Sequence, residues 1–292
     1  MSDASTALMT VVIPVRNAAT TLVDQLASLA SADPPPGGFE VVVADNGSTD
    51  GTRHAARSFE DRLTVHILDA SGSAGASYAR NLGVRESTAE RVLFCDADDE
   101  IDSGWLVAMW QAFEDGHELV AGPIDYRRLN PAPVRAWRGA DRATAAVVLG
   151  FLPSGHSANL GVTRQLHEAV GGFDEDFVFG GEDVDFCWRA QIAGYALHTD
   201  SGAVVHYRLR PSLRALFTQS RAYGAAEAHL FAKFRDLGLN RRPVLTVGRD
   251  VWWLLSRMPF ALPVGRRGAW LRRLGQQVGR LEGSARYRAV WW

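Results

Sequence analysis

The first hundred residues alternate short apolar runs with segments of helical character. Candidate strands lie at 10–15 (TVVIPV), 39–45 (FEVVVAD), 63–69 (LTVHILD) and 91–96 (RVLFCD), and candidate helices lie at 18–31, 50–59 and 75–87. The strands are apolar at consecutive positions, which is typical of strands that are covered on both faces. This alternation predicts an α/β fold built on a doubly wound, mostly parallel sheet.

Polar residues collect where these candidate strands end. Arg16 and Asn17 follow the first strand, Asp45 ends the second, and the acidic run 96–99 follows the fourth. Sheets of this kind bind their ligands beyond the carboxyl ends of the strands. We therefore expect a ligand site at this edge of the sheet.

The stretch CDADD (95–99) places several carboxylates directly after an apolar strand. Asp96 and Asp98 could converge on a hard divalent cation such as Mg²⁺ or Mn²⁺, which prefers oxygen ligands. The cation would then supply the positive charge that these carboxylates lack. The alternative is a solvated acidic loop that caps the next helix through Asp102 or Ser103. The stretch alone leaves both interpretations open.

Two further stretches at this edge fit a nucleotide. Asp45 ends its strand within ADNGSTDGT (44–52) and could accept a hydrogen bond from a base N–H, although the rest of that stretch is explained by a turn and a helix cap. The small residues of SGSAGASYARNLG (71–83) permit close approach of a phosphate or sugar at a helix start. Arg80 lies a turn inside that helix, where a surface role is equally open.

The stretch GGEDVDF (180–186) places Glu182, Asp183 and Asp185 at a predicted helix start. The helix dipole favours acids there, and we expect it to keep their pKa values low, which suits an ionised base for a hydroxyl proton. Helical spacing allows at most two of the three to point into a cleft. Later in the chain, His206 is either a packed imidazole or, if Asp98 binds a metal, a further ligand.

Taken in order, these stretches resemble the family 2 glycosyltransferases, which have the nucleotide-diphospho-sugar-binding GT-A fold. The residues that carry the resemblance are VVIPVRN (11–17), VVVADNGSTDGT (41–52), GASYARNLG (75–83), LFCDADDEI (93–101), GGFDEDFVFGGEDVDFCWR (171–189) and VVHYR (204–208). The resemblance covers about residues 9–210. It implies an inverting, metal-dependent transferase that moves a sugar from a UDP- or dTDP-sugar to an acceptor hydroxyl.

The resemblance also implies a role for each matching position. Asp183 would be the general base, Asp98 and His206 would bind Mn²⁺ or Mg²⁺, and the nucleotide would be bound by Pro14, Arg16, Asn17, Asp45, Arg80 and Asp96. Family members usually have an aromatic residue before the Asn of the first motif, and this chain has Arg16 at that position instead. We expect sugar or acceptor contacts from His156, Asn159, Glu182 and Trp188.

Two other functions are compatible with parts of this pattern. A nucleotidyltransferase would usually carry a Gly-rich loop with Lys or Arg after the first strand, and PVRNAATTL (14–22) is not such a loop. A non-catalytic nucleotide-sugar-binding protein need not retain both Asp98 and Asp183. Processive synthases of the family carry transmembrane helices and a Q-x-x-R-W motif; neither is found here, so we expect transfer of single sugars.

The domain plan follows from this coverage. We expect a catalytic domain at 1–210, with its nucleotide-sugar half at about 1–100 and its acceptor half at about 101–210, and a helical extension at 211–292. Residues 241–292 hold eleven Arg against Asp250 and Glu282, although the whole chain has a formal net charge of −2. Five of the nine Trp also lie there.

This basic, Trp-rich tail suggests two arrangements. Trp270, Leu274, Val278 and Leu281 fall on one helical face, which could lie in a membrane interface or pack on the acidic body. The two Cys and the absence of a signal-peptide pattern lead us to expect a cytoplasmic protein, peripheral on the inner membrane face if the tail binds lipid. We expect no nucleic acid partner.

Overall fold

The computed structural model describes residues 9–178, 180–257 and 264–291. Its strands are β1 (Met9–Val15), β2 (Phe39–Asp45), β3 (Val65–Asp69), β4 (Arg91–Cys95), β5 (Glu100–Ile101), β6 (Leu119–Ala121), β7 (Ile124–Asp125), β8 (Arg142–Ala143), β9 (Ala146–Val148), β10 (Leu152–Ser154), β11 (Asn159–Thr163), β12 (Leu197–Thr199) and β13 (Val205–His206). Its α-helices are α1 (Thr21–Ala30), α2 (Thr52–Arg57), α3 (Ala76–Glu86), α4 (Trp105–Glu114), α5 (Ala132–Arg138), α6 (Arg164–Ala169), α7 (Glu182–Ile192), α8 (Leu213–Phe234), α9 (Val244–Ser256) and α10 (Val264–Arg286).

The central sheet has seven strands in the order β12-β6-β11-β4-β1-β2-β3. Strand β11 runs antiparallel to both of its neighbours, and the other pairs are parallel. The predicted α/β fold with a mostly parallel sheet is therefore confirmed. A small sheet of order β5-β13-β7-β8 and the β9–β10 pair complete the strands.

Both faces of the central sheet are covered, as the consecutive apolar residues predict. Val11 and Ile13 of β1 pack in one core with the Leu residues of α1 and with Trp105 of α4. Val12 points to the other core, which α3, α6 and α7 cover. The alternation of side chains along a strand thus supplies both layers from one sequence.

One helix lies where the sequence suggests a loop. The 126–142 segment contains Pro131 and Pro133, which we interpret from sequence as loop residues. In the structure they cap and enter the first turn of α5, with Pro131 at the N-cap position. Proline is tolerated there because the first-turn N–H groups have no helical partner.

The C-terminal helices pack on the part of the chain that contains the sheets. Helix α10 lies against α8 and α5, and Trp291 is buried with Phe231 and Phe234 of α8 against Trp188 of α7. None of the described helices is long and apolar enough to cross a membrane.

Candidate active site

The loops after β1 and β2 are joined at the expected edge of the sheet. The backbone N–H of Asn17 donates to Ser48 Oγ at 2.9 Å, and the Asn17 side-chain oxygen accepts from the Thr49 N–H at 2.8 Å. Asn17 has a φ of 52°, which asparagine tolerates better than most residues. Pro14 is half-buried and Arg16 is exposed beside this junction. The two loops form one surface at this edge.

Asp45 is fully buried at the end of β2. Its carboxylate accepts from the Ser48 N–H at 2.9 Å and pairs with Arg53, which also lies 3.4 Å from Asp69. Burial acts to raise the pKa of Asp45, but the hydrogen bonds from Ser48 and Arg53 outweigh it and hold that pKa below its ordinary value. A base N–H would therefore have to displace Arg53 to reach this carboxylate.

Three carboxylates meet after β4. Oxygen atoms of Asp96, Asp98 and Asp99 lie within 4.8 Å of one another. Burial raises the pKa of Asp98 and, more strongly, that of Asp99, and the neighbouring carboxylates add to both shifts. Arg210 opposes this at Asp98 through a 3.0 Å contact.

This acidic group fits a divalent cation. Asp99 is fully buried; its Oδ1 accepts from the Arg208 N–H at 2.8 Å, while its Oδ2 has no hydrogen-bond partner in the described part of the chain. A buried, unpaired carboxylate oxygen is costly, and a cation would satisfy it. Mg²⁺ and Mn²⁺ prefer such all-oxygen ligand sets.

The structure places His206 differently from the metal-ligand prediction. Its Nε2 lies 3.4 Å from Asp102 Oδ2, and the group of potential metal ligands among the described residues consists of the three aspartates alone. His206 is the last residue of β13 and pairs in register with Glu100. The buried Asp99, which sequence reasoning did not single out, is the third acidic residue of the group.

Arg80 joins the acidic group to the start of α7. Its side chain is 2% exposed, and its guanidinium lies 2.8 Å from Asp96 and 3.1 Å from Glu182. The strand end at Asp96 and the helix start at Glu182 are thereby held on one cleft. Asp185 turns away, as helical spacing predicts, and pairs with Arg189 and Lys233.

Asp183 lies beside this clamp. Its Oδ1 accepts from the Val184 N–H at 2.9 Å, and its Oδ2 lies 3.4 Å from the Ser157 N–H and 3.9 Å from Nδ1 of His156. Burial raises its pKa above the ordinary value, against the lowering expected from the helix dipole, because desolvation outweighs the hydrogen bonds and Arg80. A base of raised pKa is a stronger proton acceptor as long as it stays ionised.

His156 adds a neutral polar group to this wall of the cleft. Burial and the nearby Arg138 lower the pKa of His156 to about 4. The imidazole is therefore uncharged at neutral pH and does not pair electrostatically with Asp183.

These groups open into a cavity of about 460 Å³. Residues before α8 line one side of this cavity, and residues of α8 and α10 line the rest. The polar and aromatic lining comprises Asp96, Tyr126, Arg138, Thr144, Ser154, His156, Ser157, Glu182, Asp183, Tyr207, Tyr223, Glu227 and Gln276. Of these residues, sequence reasoning singled out only Asp96, His156, Glu182 and Asp183. It missed Tyr223, Glu227 and Gln276 because a helical pattern does not show which cavity a helix will line.

Tyr223 of α8 packs against the turn that precedes α7. A Cβ atom built on Gly180 would lie 2.7 Å from its ring, so Gly180 permits the ring to approach the turn before Asp183. Gly180 and Gly181 both have positive φ angles, which explains the GG pair in the sequence. The aromatic ring and the carboxylate thus border the same cavity.

Two of the expected sugar or acceptor residues belong to the core. Asn159 is fully buried, with its oxygen accepting from the Trp105 indole and its amide donating to Pro123 and Ala203 carbonyls. Trp188 is also fully buried, and its indole N–H donates to the Leu152 carbonyl. These contacts leave neither side chain a surface for a ligand, which corrects the prediction for both.

The sequence matches two family models. Residues 10–170 match the model described as glycosyl transferase family 2, and residues 91–274 match that of glycosyl transferase family group 2. Among curated proteins, glycosyltransferase AglE of Haloferax volcanii is 29% identical over 280 residues, covering 92% of this chain and 87% of its own. Pre-mycofactocin glycosyltransferase of Mycobacterium tuberculosis is 30% identical over 271 residues, covering 87% of this chain and 53% of its own.

Solved structures agree in fold. The mannosyltransferase PcManGT of Pyrobaculum calidifontis, in complex with GDP-Man and Mn²⁺, superposes with a TM-score of 0.62 at 22% identity, covering 96% of this chain and 75% of its own. TarS 1–349 of S. aureus, in complex with UDP, gives 0.56 at 17% identity, covering 95% and 91%. With more than half of its length matched by the family model, the chain belongs to glycosyltransferase family 2 and is a glycosyltransferase of the GT-A fold.

Proposed function

We propose that this glycosyltransferase is a metal-dependent, inverting enzyme that moves one sugar from a nucleotide-diphospho-sugar to an acceptor hydroxyl. The observation that carries the proposal is the Arg80 clamp, defined as the contacts of Arg80 with Asp96 and Glu182. Because of it, Asp96 of the acidic group and the carboxylate of Asp183 border one cavity.

The donor occupies the edge of the sheet in this proposal. The joined loops at Asn17 and Asp45, together with Pro14, Arg16 and Asp96, would bind the nucleotide, here taken as UDP or dTDP. Support comes from their common position at the carboxyl ends of β1, β2 and β4. Structural neighbours bind GDP-Man, UDP and UDP-GlcNAc, so a panel of bases is required to identify the donor.

Asp96, Asp98 and Asp99 would hold Mn²⁺ or Mg²⁺. When bound, the ion supplies positive charge for the diphosphate that leaves the anomeric carbon. The protein's own cations near these carboxylates are Arg80 and Arg210, and each already pairs with an aspartate of the group.

The acceptor enters the cavity opposite the donor. Asp183 accepts the proton of the acceptor hydroxyl, whose oxygen then forms a bond to the anomeric carbon as the bond to the diphosphate oxygen breaks. One such in-line step inverts the anomeric configuration. His156, Glu182 and the ring of Tyr223 line the space that the acceptor would fill.

A donor panel and the product's configuration test this proposal. Thermal shift with nucleotide-sugars and Mn²⁺ identifies the donor; turnover should then release the nucleoside diphosphate only with a divalent cation, and NMR of the product should show the opposite anomer. Retention of configuration, or full turnover in EDTA, would contradict it.

A further inference from the structure

Helix α9 has an apolar face that points away from the protein. Five of its eight exposed positions hold large apolar residues: Val244, Leu245, Val251, Trp252 and Leu255 are 83%, 88%, 46%, 70% and 64% exposed. At 3.6 residues per turn these positions fall within roughly a third of the helix circumference. No residue of α9 is buried.

The opposite face of α9 is attached to the protein by polar contacts. Asp250 pairs with Arg242 and lies 3.6 Å from Arg280 of α10, and the Leu254 carbonyl accepts from the Trp270 indole at 2.9 Å. Trp253 stacks with Arg273, 4.0 Å from its ring centroid. These contacts fix which side of α9 faces outward.

The charge around the outward face is positive. Arg249 lies on α9 itself, Arg241 precedes the helix, and Arg257 follows it with its guanidinium 5.1 Å from the Trp253 ring centroid; all three are exposed, and none has an ion-pair partner within 9–178, 180–257 and 264–291. The two carboxylates of 241–291 do not neutralise these arginines, because Asp250 pairs with Arg242 on the inward side and Glu282 pairs with Arg221. An exposed apolar face bordered by unpaired arginines complements an anionic lipid surface, whose headgroups are negative above an apolar interior.

The apolar helical face that the sequence suggested for membrane contact belongs to α10 and not to α9. Leu274 and Val278 of α10 are half-buried and the Trp270 indole bonds to α9, so that of the four predicted residues Leu281 alone is exposed, at 56%. Glycines on α10 allow that helix to pack closely on α8, since a Cβ at Gly279 would lie 1.8 Å from the Arg221 carbonyl oxygen. Helix α10 is therefore the packed part of the tail.

We propose that the outward face of α9 binds anionic membrane surfaces. This goes beyond the transfer reaction and does not depend on it. A preference for lipid over a protein partner follows from the joint presence of exposed Trp252, Leu245 and the arginine border with no exposed carboxylate on the described part of α9.

Vesicle flotation tests the proposal. The full chain should float with phosphatidylcholine vesicles that contain phosphatidylglycerol, float less with pure phosphatidylcholine, and be released by high salt. The double variant L245E/W252E should reduce partitioning about tenfold or more, because two exposed apolar contacts are replaced by charges. The control variant V107E/I192E replaces two other exposed apolar residues, on α4 and α7, which are 40% and 48% exposed, and should float like the wild type.

Unchanged circular dichroism and unchanged turnover on a water-soluble acceptor would show that L245E/W252E is folded. Failure of the wild type to float, or equal flotation of L245E/W252E, would overturn the proposal. Sedimentation gives a further opposing outcome: a wild-type dimer that becomes monomeric in L245E/W252E without any flotation would assign the face to contacts between copies of the chain.

Discussion

The Arg80 clamp makes a prediction that the free energy of unfolding can test. Replacing Arg80 by Met removes the one cation that lies between Asp96 and Glu182, whose side chains are 28% and 12% exposed. Removing one partner of a buried ion pair costs about 3–5 kcal/mol, and partial exposure of Asp96 screens some of that. We expect R80M to lose about 3 kcal/mol at neutral pH.

The loss should depend on pH with a definite sign. Burial and Asp183 raise the pKa of Glu182, while Arg80 opposes the shift. A carboxyl whose folded-state pKa is raised favours folding when protonated, and that contribution disappears as pH rises through the folded-state pKa. Without Arg80 this pKa rises further, so the deficit of R80M should grow from about pH 5 to neutral pH.

Urea denaturation, monitored by circular dichroism at several pH values, measures the free energy of unfolding of the wild type and of R80M. E182Q removes one of the two stranded charges, so R80M/E182Q should be more stable than R80M alone. An R80M protein as stable as the wild type at neutral pH, or a deficit that E182Q does not change, would refute the clamp.

Three further predictions concern the metal, the acceptor and the extension. D98N should abolish transfer and the Mn²⁺-dependent rise in Tm; retained activity would contradict the metal assignment. Y223A should raise the acceptor KM about tenfold with little change in donor KM, since the ring packs beside the turn before Asp183, where we propose that the acceptor binds; steady-state kinetics decides, and an unchanged acceptor KM would oppose it. G279A should lower the free energy of unfolding by about 1–3 kcal/mol because its Cβ meets a carbonyl at 1.8 Å, whereas G248A, with open space around it, should not; equal stability of both in urea would refute this.

The central sheet was predictable because one physical pattern determined it. Consecutive apolar residues in Val11–Ile13 and its counterparts indicate strands covered twice, and the polar residues that follow indicate the ligand edge. The helix at 132–138 was not predictable with the same rule, since a proline pair fits a loop and a first helical turn equally well.

Side-chain burial explains why other features of the site could not be predicted from the sequence. Asn159 and Trp188 are residue types that often bind sugars, and only the packing of β11 and α7 shows that they lie in the core. Asp183 lies at a helix start, where the dipole lowers a pKa, but the depth of the cleft reverses the sign. The α8–α10 packing depends on glycines in each helix that allow the backbone of the other helix to come close, and a pattern within one helix does not reveal its partner.

The measurement that tests the account most directly is a comparison of wild type and D183N in donor binding and in turnover. The account predicts that calorimetry with the nucleotide-sugar and Mn²⁺ gives the same donor Kd for both proteins. It predicts that transfer by D183N falls by about a hundredfold or more, because the variant lacks the carboxylate that accepts the proton of the acceptor hydroxyl. Transfer by D183N at the wild-type rate would contradict the assignment of Asp183 and with it the proposed division of the cleft.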